Sequence, residues 1–168
     1  MSALRIALLD HTGGAYSREL DAALRTAGHE PSPVGDLAVA AAEAVLGRRG
    51  FTPALSHVPR AAAELLRGGF DVAHAFTAPD AAAALAWRRL GGGPAVFTCT
   101  EALGRGALAN GRLRLPLLER AIENTDALVA SGEDVRAAIE RWFARSPDEV
   151  LAAGDAAAHD RLYRELLA

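Results

Sequence analysis

Apolar positions along the chain follow two alternating spacings. Short runs of consecutive apolar or β-branched residues are followed by longer stretches in which apolar residues recur every three or four positions. The first spacing is typical of buried strands and the second of amphipathic helices that cover a sheet. The pattern therefore predicts an α/β fold: a Rossmann-like, doubly wound, mostly parallel sheet of about seven strands, forming three α/β/α layers in one domain that spans residues 1–168.

The predicted strands are short and are each bounded by turn residues. They are Arg5–Leu9, His29–Val34, Thr52–Val58, Val72–Phe76, Ala95–Thr98, Ala127–Ala130 and a short strand within Pro147–Ala153. Pro31 and Pro33 remove hydrogen-bond donors from the second strand, which favours an edge position in the sheet.

The predicted helices have recognisable first or last residues. They are Tyr16–Ala27, Asp36–Leu46, Arg60–Arg67, Pro79–Arg89, Pro116–Asn124, a helix that runs through Phe143 after a capping box at Ser131, and Ala156–Leu167. Gly28 follows the apolar face of the first helix and is expected to end it in a left-handed conformation.

Composition restricts the classes of function. The chain has a formal net charge of −3 and a pI of about 5.9, so it lacks the basic surface expected of a nucleic-acid-binding domain. Cys99 is the one cysteine and cannot form an internal disulfide, and no stretch reaches the roughly 20 apolar residues of a membrane span. These features predict a cytoplasmic protein.

The first strand leads into a glycine turn, Thr12-Gly13-Gly14, and then directly into a helix. Backbone amides and the helix dipole at such a turn favour an anionic ligand. A plain strand-to-helix turn that needs glycine is the alternative interpretation. The complete Gly-x-Gly-x-x-Gly pattern of dinucleotide-binding domains is absent, so NAD is not expected and no cofactor is predicted.

Several segments together resemble the N-terminal domain of a GT-B glycosyltransferase of the large retaining family 4. The segments, in chain order, are the first strand with its glycine turn, Ala27-Gly28-His29-Glu30, Phe70 to Ala75, the strand ending at Thr98, and Thr125 to Ser131. The resemblance implies an enzyme that uses a nucleotide-diphosphate sugar, with the acceptor held mainly by this domain and the donor mainly by a second one.

The resemblance also implies candidate site residues. Gly13 and Gly14 would approach the donor diphosphate. His74 follows the family pattern near the carboxyl end of a strand and is either a ligand-binding residue or a hydrogen-bonded core histidine. Ser131 is either a helix N-cap or a ligand contact.

The chain departs from the family pattern at two motifs. Thr100 stands where the family has a histidine near the transferred sugar, and Glu101 either replaces that histidine or is an ordinary solvated residue. A hydroxyl group can bind a sugar but cannot act as a proton shuttle near neutral pH. The family's hinge motif corresponds here to Gly154-Asp155-Ala156 and retains only an acidic residue.

The resemblance and these departures from it leave two functions open. The first is a glycosyltransferase-like half-enzyme that needs a GT-B C-terminal-type partner chain or self-association. The second is a non-catalytic remnant of the fold that binds a ligand or another protein. A homodimer, formed through apolar surface that a second domain would cover, is a further possibility.

Metal and membrane binding are not predicted. His11, His29, His57 and His159 are scattered along the sequence and show no metal-ligand spacing. Arginines alternate with leucines between Leu103 and Arg120, and this alternation favours an amphipathic lid over a membrane-facing patch.

Overall fold

The computed structural model of the protein describes residues 2–34, 53–102 and 114–168. The strands are β1 (Arg5–Leu9), β2 (Glu30–Val34), β3 (Val72–Ala75), β4 (Ala95–Cys99), β5 (Ala127–Ala130) and β6 (Glu149–Val150). The helices in the described ranges are α1 (Ala15–Thr26), α2 (Pro53–Gly68), α3 (Ala78–Arg89), α4 (Arg114–Asn124), α5 (Glu133–Trp142) and α6 (Ala156–Leu167).

The strands form one parallel sheet in the order β2-β1-β3-β4-β5-β6. The predicted Rossmann-like α/β fold is confirmed, but the sheet has six described strands rather than about seven. The strand predicted at Thr52–Val58 is wrong, because Pro53 to Val58 form the first part of α2. Proline is well tolerated in a first helical turn. The helix predicted at Asp36–Leu46 lies outside the described residues.

Helices cover both faces of the sheet. Alternate strand residues, among them Ile6, Leu8 and Val72, pack against Leu24 of α1 and Leu162 of α6. The intervening residues face the other layer, which contains α2, α3, α4 and α5; they include Ala7, Leu9, Ala73, Ala75 and Phe97. This strict alternation determines the layer into which each side chain at the end of a strand projects.

The edge position predicted for β2 is confirmed. β2 pairs only with β1 among the described strands, with Pro31 opposite Ile6 and Pro33 opposite Leu8. An edge strand tolerates proline because the missing N–H group would face away from the sheet.

Gly28 ends α1 as predicted. Its φ is 87°, a left-handed conformation that favours glycine. The Gly28 amide donates to the Arg25 carbonyl and the His29 amide to the Leu24 carbonyl, both at 3.0 Å. These two bonds define a Schellman motif, which turns the chain from α1 into β2.

We expect Gly28→Ala to lower the free energy of unfolding by about 1–2 kcal/mol, because a Cβ atom is disfavoured in the left-handed region. Urea denaturation measures the change. Gly28→Asn is the matched control and should lose less, since asparagine tolerates this conformation. Equal losses in the two variants would contradict a conformational origin.

Candidate functional site

The carboxyl ends of β1 and β3 form the place where an open α/β sheet usually binds ligands. The chain continues from β1 to β2 on one side and then crosses to β3 on the other side of β1. The strand order therefore reverses between β1 and β3, and in open α/β sheets such a reversal is the usual position of a ligand-binding crevice. Asp10 to Gly14 follow β1 at this point, and Thr77 follows β3.

The carboxylate of Asp10 organises the glycine turn. It accepts hydrogen bonds from the backbone amides of Thr12 at 3.0 Å, Gly13 at 3.0 Å and Gly14 at 2.5 Å. The hydroxyl groups of Thr12 and Ser17 also donate to it. Burial would raise the pKa of Asp10, but these hydrogen bonds outweigh it and lower the pKa, so the group is ionised at neutral pH.

The protein's own anion thus occupies the amides that a bound phosphate would need. Both glycines have a conformational or steric reason to be there. Gly13 has a φ of 66°, and a Cβ atom on Gly14 would lie 3.1 Å from a carboxylate oxygen of Asp10. The turn is therefore built around Asp10, and whether Gly13 and Gly14 also contact a diphosphate stays a prediction.

A second carboxylate, the fully buried Asp80, lies on the other side of the sheet. His11 Nδ1 lies 3.0 Å from Asp80 Oδ2, and His57 Nε2 lies 2.8 Å from Asp80 Oδ1. The Thr77 hydroxyl donates to Asp80 Oδ2 at 2.7 Å, and the Asp80 amide donates back to it at 3.3 Å, so Thr77 caps α3. We call His11, His57, Thr77 and Asp80 the switch-point cluster.

Sequence spacing did not predict this cluster. His11 is 69 residues from Asp80, and His57 is 23 residues from it. Burial would raise the pKa of Asp80, but hydrogen bonds from His11 and His57 lower it to about 2. The cluster therefore contains an ionised carboxylate beneath the carboxyl edge of the sheet. The Thr77-x-x-Asp80 pattern before a helix was the one local signal that could have identified Asp80.

His74 lies in the core rather than at the exposed carboxyl edge of the sheet. Its Nδ1 is 2.7 Å from the hydroxyl oxygen of Tyr163, and its Nε2 is 2.6 Å from that of Thr98. Its side chain is 0% exposed, between the sheet and α6. Burial and the nearby His159 lower the pKa of His74 well below its usual value, so it is neutral. The core alternative is the one that this geometry supports.

Thr100, Glu101 and Ser131 lie at the carboxyl ends of β4 and β5. Glu101 is exposed, whereas Thr100 and Ser131 are partly buried. The capping box predicted at Ser131 is wrong, because Gly132 is the N-cap of α5 and no side chain caps that helix. Ser131 instead donates its amide to the Cys99 carbonyl at 3.1 Å, which holds the ends of β4 and β5 together. The predicted amphipathic lid lies largely outside the described residues.

Two other sequence features have structural roles. Cys99 is buried in β4, and burial raises the pKa of its thiol to about 11, which excludes a thiolate nucleophile at neutral pH. Asp155, in the segment that resembles the family's hinge, caps α6 by accepting from the Ala158 amide at 3.0 Å.

A groove of about 770 Å³ lies away from this edge, between α1 and α6. Ala23, Gly28, His29, Asp155 and Asp160 are among the residues that line it. Among the described residues that line the groove, none is a site residue that the sequence predicted. In the described part of the chain, no helix combines the length and apolar character needed to cross a membrane.

The sequence profile of Glycosyltransferase Family 4 matches residues 14–154. The chain therefore belongs to glycosyltransferase family 4, and its fold is that of the N-terminal domain of a GT-B enzyme. No curated protein matches the sequence.

Solved structures agree with this fold. A sucrose-phosphate synthase chain from Thermosynechococcus elongatus is similar with a TM-score of 0.68 and 16% identity, over 98% of this chain and 99% of that chain. A longer chain of the same enzyme has a TM-score of 0.66 and 15% identity, over 89% of this chain and 48% of that chain. This protein thus spans about half of the longer synthase chain.

The Asp10 geometry predicts how the glycine turn responds to anions. Asp10→Ala should free the amides of Thr12, Gly13 and Gly14, so inorganic phosphate should raise the melting temperature of this variant more than that of the wild type. Without phosphate, the variant should lose about 1–3 kcal/mol of stability because those donors are left unpaired. Thermal denaturation with and without phosphate measures both effects.

Asp21→Ala is the matched control. It also removes one negative charge, but from a residue of α1 that pairs with Arg25 rather than with the glycine turn. It should respond to phosphate as the wild type does. An equal phosphate response in Asp10→Ala and the wild type would show that Asp10 does not occupy an anion site.

The buried histidine predicts a pH dependence. The pKa of His74 in the fold lies below the usual 6.5, so below about pH 6.5 the unfolded chain binds a proton that the fold excludes. Stability should therefore fall as the pH decreases from about 7.5 to 5.5, by up to about 1.4 kcal/mol per pH unit for this histidine. Urea denaturation at each pH measures the slope, and the slope should be shallower in His74→Asn. Identical slopes would refute this assignment.

Proposed function

We propose that this chain is the acceptor-binding half of a glycosyltransferase that moves a hexosyl or related group from a nucleotide-diphosphate sugar. The observation that carries the proposal is the family match over residues 14–154, which includes Thr100, Glu101 and Ser131 at the carboxyl edge of the sheet. Ligands of open α/β sheets bind at this edge. In this proposal residues 1–168 act as one GT-B N-terminal-type domain.

The edge residues suit a hydroxyl-rich ligand. Thr100 and Ser131 each offer a hydroxyl group that can donate and accept a hydrogen bond. Glu101 is exposed and offers a carboxylate that can accept a proton from an acceptor hydroxyl as a general base. In the proposal Glu101 therefore takes the catalytic position beside Thr100, which replaces the family's histidine.

The glycine turn has a different part in the proposal. Gly13 and Gly14 lack side chains, so a ligand can approach their backbone closely. Asp10 already accepts from the amides of Gly13 and Gly14 and carries a negative charge. An uncharged sugar is therefore favoured over a phosphate at these amides, and the other half of the enzyme supplies most of the diphosphate contacts.

Such a half-enzyme needs a second wall for its cleft. In the proposal a separate GT-B C-terminal-type chain, or a second copy of this chain in a homodimer, supplies that wall. The buried, unpaired Cys99 is compatible with the reducing cytoplasm, where we place the protein.

A non-catalytic binding module is the second candidate function. It is favoured by Thr100 in place of the histidine, since a threonine cannot shuttle protons near neutral pH. It is also favoured by the hydrogen bonds that already engage the glycine turn. A module of this kind would bind a sugar or a protein without transferring a group.

The test is sugar transfer by this chain mixed with a GT-B C-terminal-type chain, with UDP- and GDP-sugars as donors. Glu101→Gln should lower kcat by about 10²–10⁴-fold, since it removes the general base, and should leave the KM for the donor nearly unchanged. Glu165→Gln, an equivalent change at an exposed position on α6, is the control and should retain activity.

The two candidate functions give different results. Transfer that depends on Glu101 supports the half-enzyme. Sugar binding measured by calorimetry, with no transfer in any mixture, supports the module. Light scattering of the protein alone and of the mixture reports whether the completing surface comes from a second copy or from the other chain.

A further inference from the structure

The switch-point cluster brings together three side chains that commonly bind transition metals. His11 follows β1, His57 lies in α2, and Asp80 lies in the first turn of α3. One ligand atom from each of them lies within 4.8 Å of the other two. The exposed fractions of these residues are 5%, 2% and 0%, so the geometry is a property of the packed interior.

The ring geometry directs both imidazoles toward the same carboxylate. The centroids of His11 and His57 are 5.4 Å apart and the ring planes are inclined by 37°, so the rings do not stack. Their nitrogens lie 3.0 and 2.8 Å from the two oxygens of Asp80. In a four-coordinate zinc site, ligand atoms about 2.0–2.1 Å from the metal lie roughly 3.3 Å from one another, so both imidazole–carboxylate pairs are close to the separation that zinc requires.

The three ligand groups favour some metal ions over others. Two imidazoles and one carboxylate suit zinc and similar transition metals, whereas magnesium and calcium prefer oxygen ligands alone. The Thr77 hydroxyl oxygen lies 3.2 Å from His11 Nδ1 and 2.7 Å from Asp80 Oδ2. A further oxygen donor is therefore present beside the three ligands.

We propose that His11, His57 and Asp80 form a binding site for a zinc-type divalent transition-metal ion. The ion would join the loop after β1 to α2 and α3. It would thereby fix the loop that continues into Gly13 and Gly14 at the edge where the sheet binds ligands. This site is independent of the proposed transfer reaction.

The alternative is a network in which the two imidazoles only donate hydrogen bonds to Asp80. His57→Gln distinguishes the two, because a glutamine amide can still donate to a carboxylate but is a poor zinc ligand. The hydrogen-bond network predicts a folded variant with no change in zinc affinity. If the cluster binds a metal, the variant should fold but bind zinc about 100-fold or more weakly. This loss is larger than the one expected when a residue that only hydrogen-bonds to a metal ligand is replaced.

The experiment uses the full chain after treatment with a chelator. Zinc is added in competition with a chromophoric chelator, and cobalt(II) is added separately to record its visible absorption. We expect one zinc ion per chain, a melting temperature that rises with zinc, and the intense cobalt bands of a four-coordinate site. Circular dichroism confirms that each variant is folded.

His29→Gln is the matched control, because His29 pairs with Asp160 outside the cluster. It should bind zinc as the wild type does, while Asp80→Asn should lose zinc binding together with His57→Gln. The absence of zinc uptake by the wild type would overturn the proposal. Equal zinc affinity in the wild type and a folded His57→Gln variant would overturn it as well.

Discussion

The parallel pairing of β1 with both β2 and β3 is the constraint on which the rest of the structure depends. It buries β1 in the sheet and makes its side chains alternate strictly between two helical layers. The alternation continues past the end of the strand, so Asp10 bonds to residues of the α1 layer and His11 to Asp80 in the α3 layer. Two adjacent residues thereby form hydrogen bonds on opposite faces of the sheet.

A carboxylate organises the polar residues on each face of the sheet's carboxyl edge. Asp10 accepts hydrogen bonds from the amides of the glycine turn, and Asp80 accepts them from two imidazoles and a hydroxyl group. Hydrogen bonds lower the pKa of both groups and keep them ionised, although Asp10 is partly buried and Asp80 fully buried. The edge is thus preorganised around fixed negative charges, which favours neutral hydroxyl groups and cations over additional anions. This electrostatic character distinguishes the turn from an empty phosphate loop.

The sequence predicted those features that depend on local spacing. The buried strands, the edge position of β2 and the end of α1 at Gly28 follow from hydrophobic pattern, proline chemistry and glycine conformation. The strand predicted at Thr52–Val58 was wrong because Pro53, which is disfavoured in a strand, fits the first turn of a helix and begins α2. The switch-point cluster could not be predicted, since only the order of the strands brings His11 and His57 to Asp80.

In the proposed function, the carboxyl edge of the sheet binds a sugar-containing ligand. Nuclear magnetic resonance of the ¹⁵N-labelled chain, titrated with UDP- and GDP-sugars and with free hexoses, tests it most directly. We expect the amide shifts to concentrate at the edge residues Gly13, Gly14, Thr100, Glu101 and Ser131. Shifts confined to the groove between α1 and α6, around Gly28 and Asp160, would contradict it, as would no shift with any of these ligands.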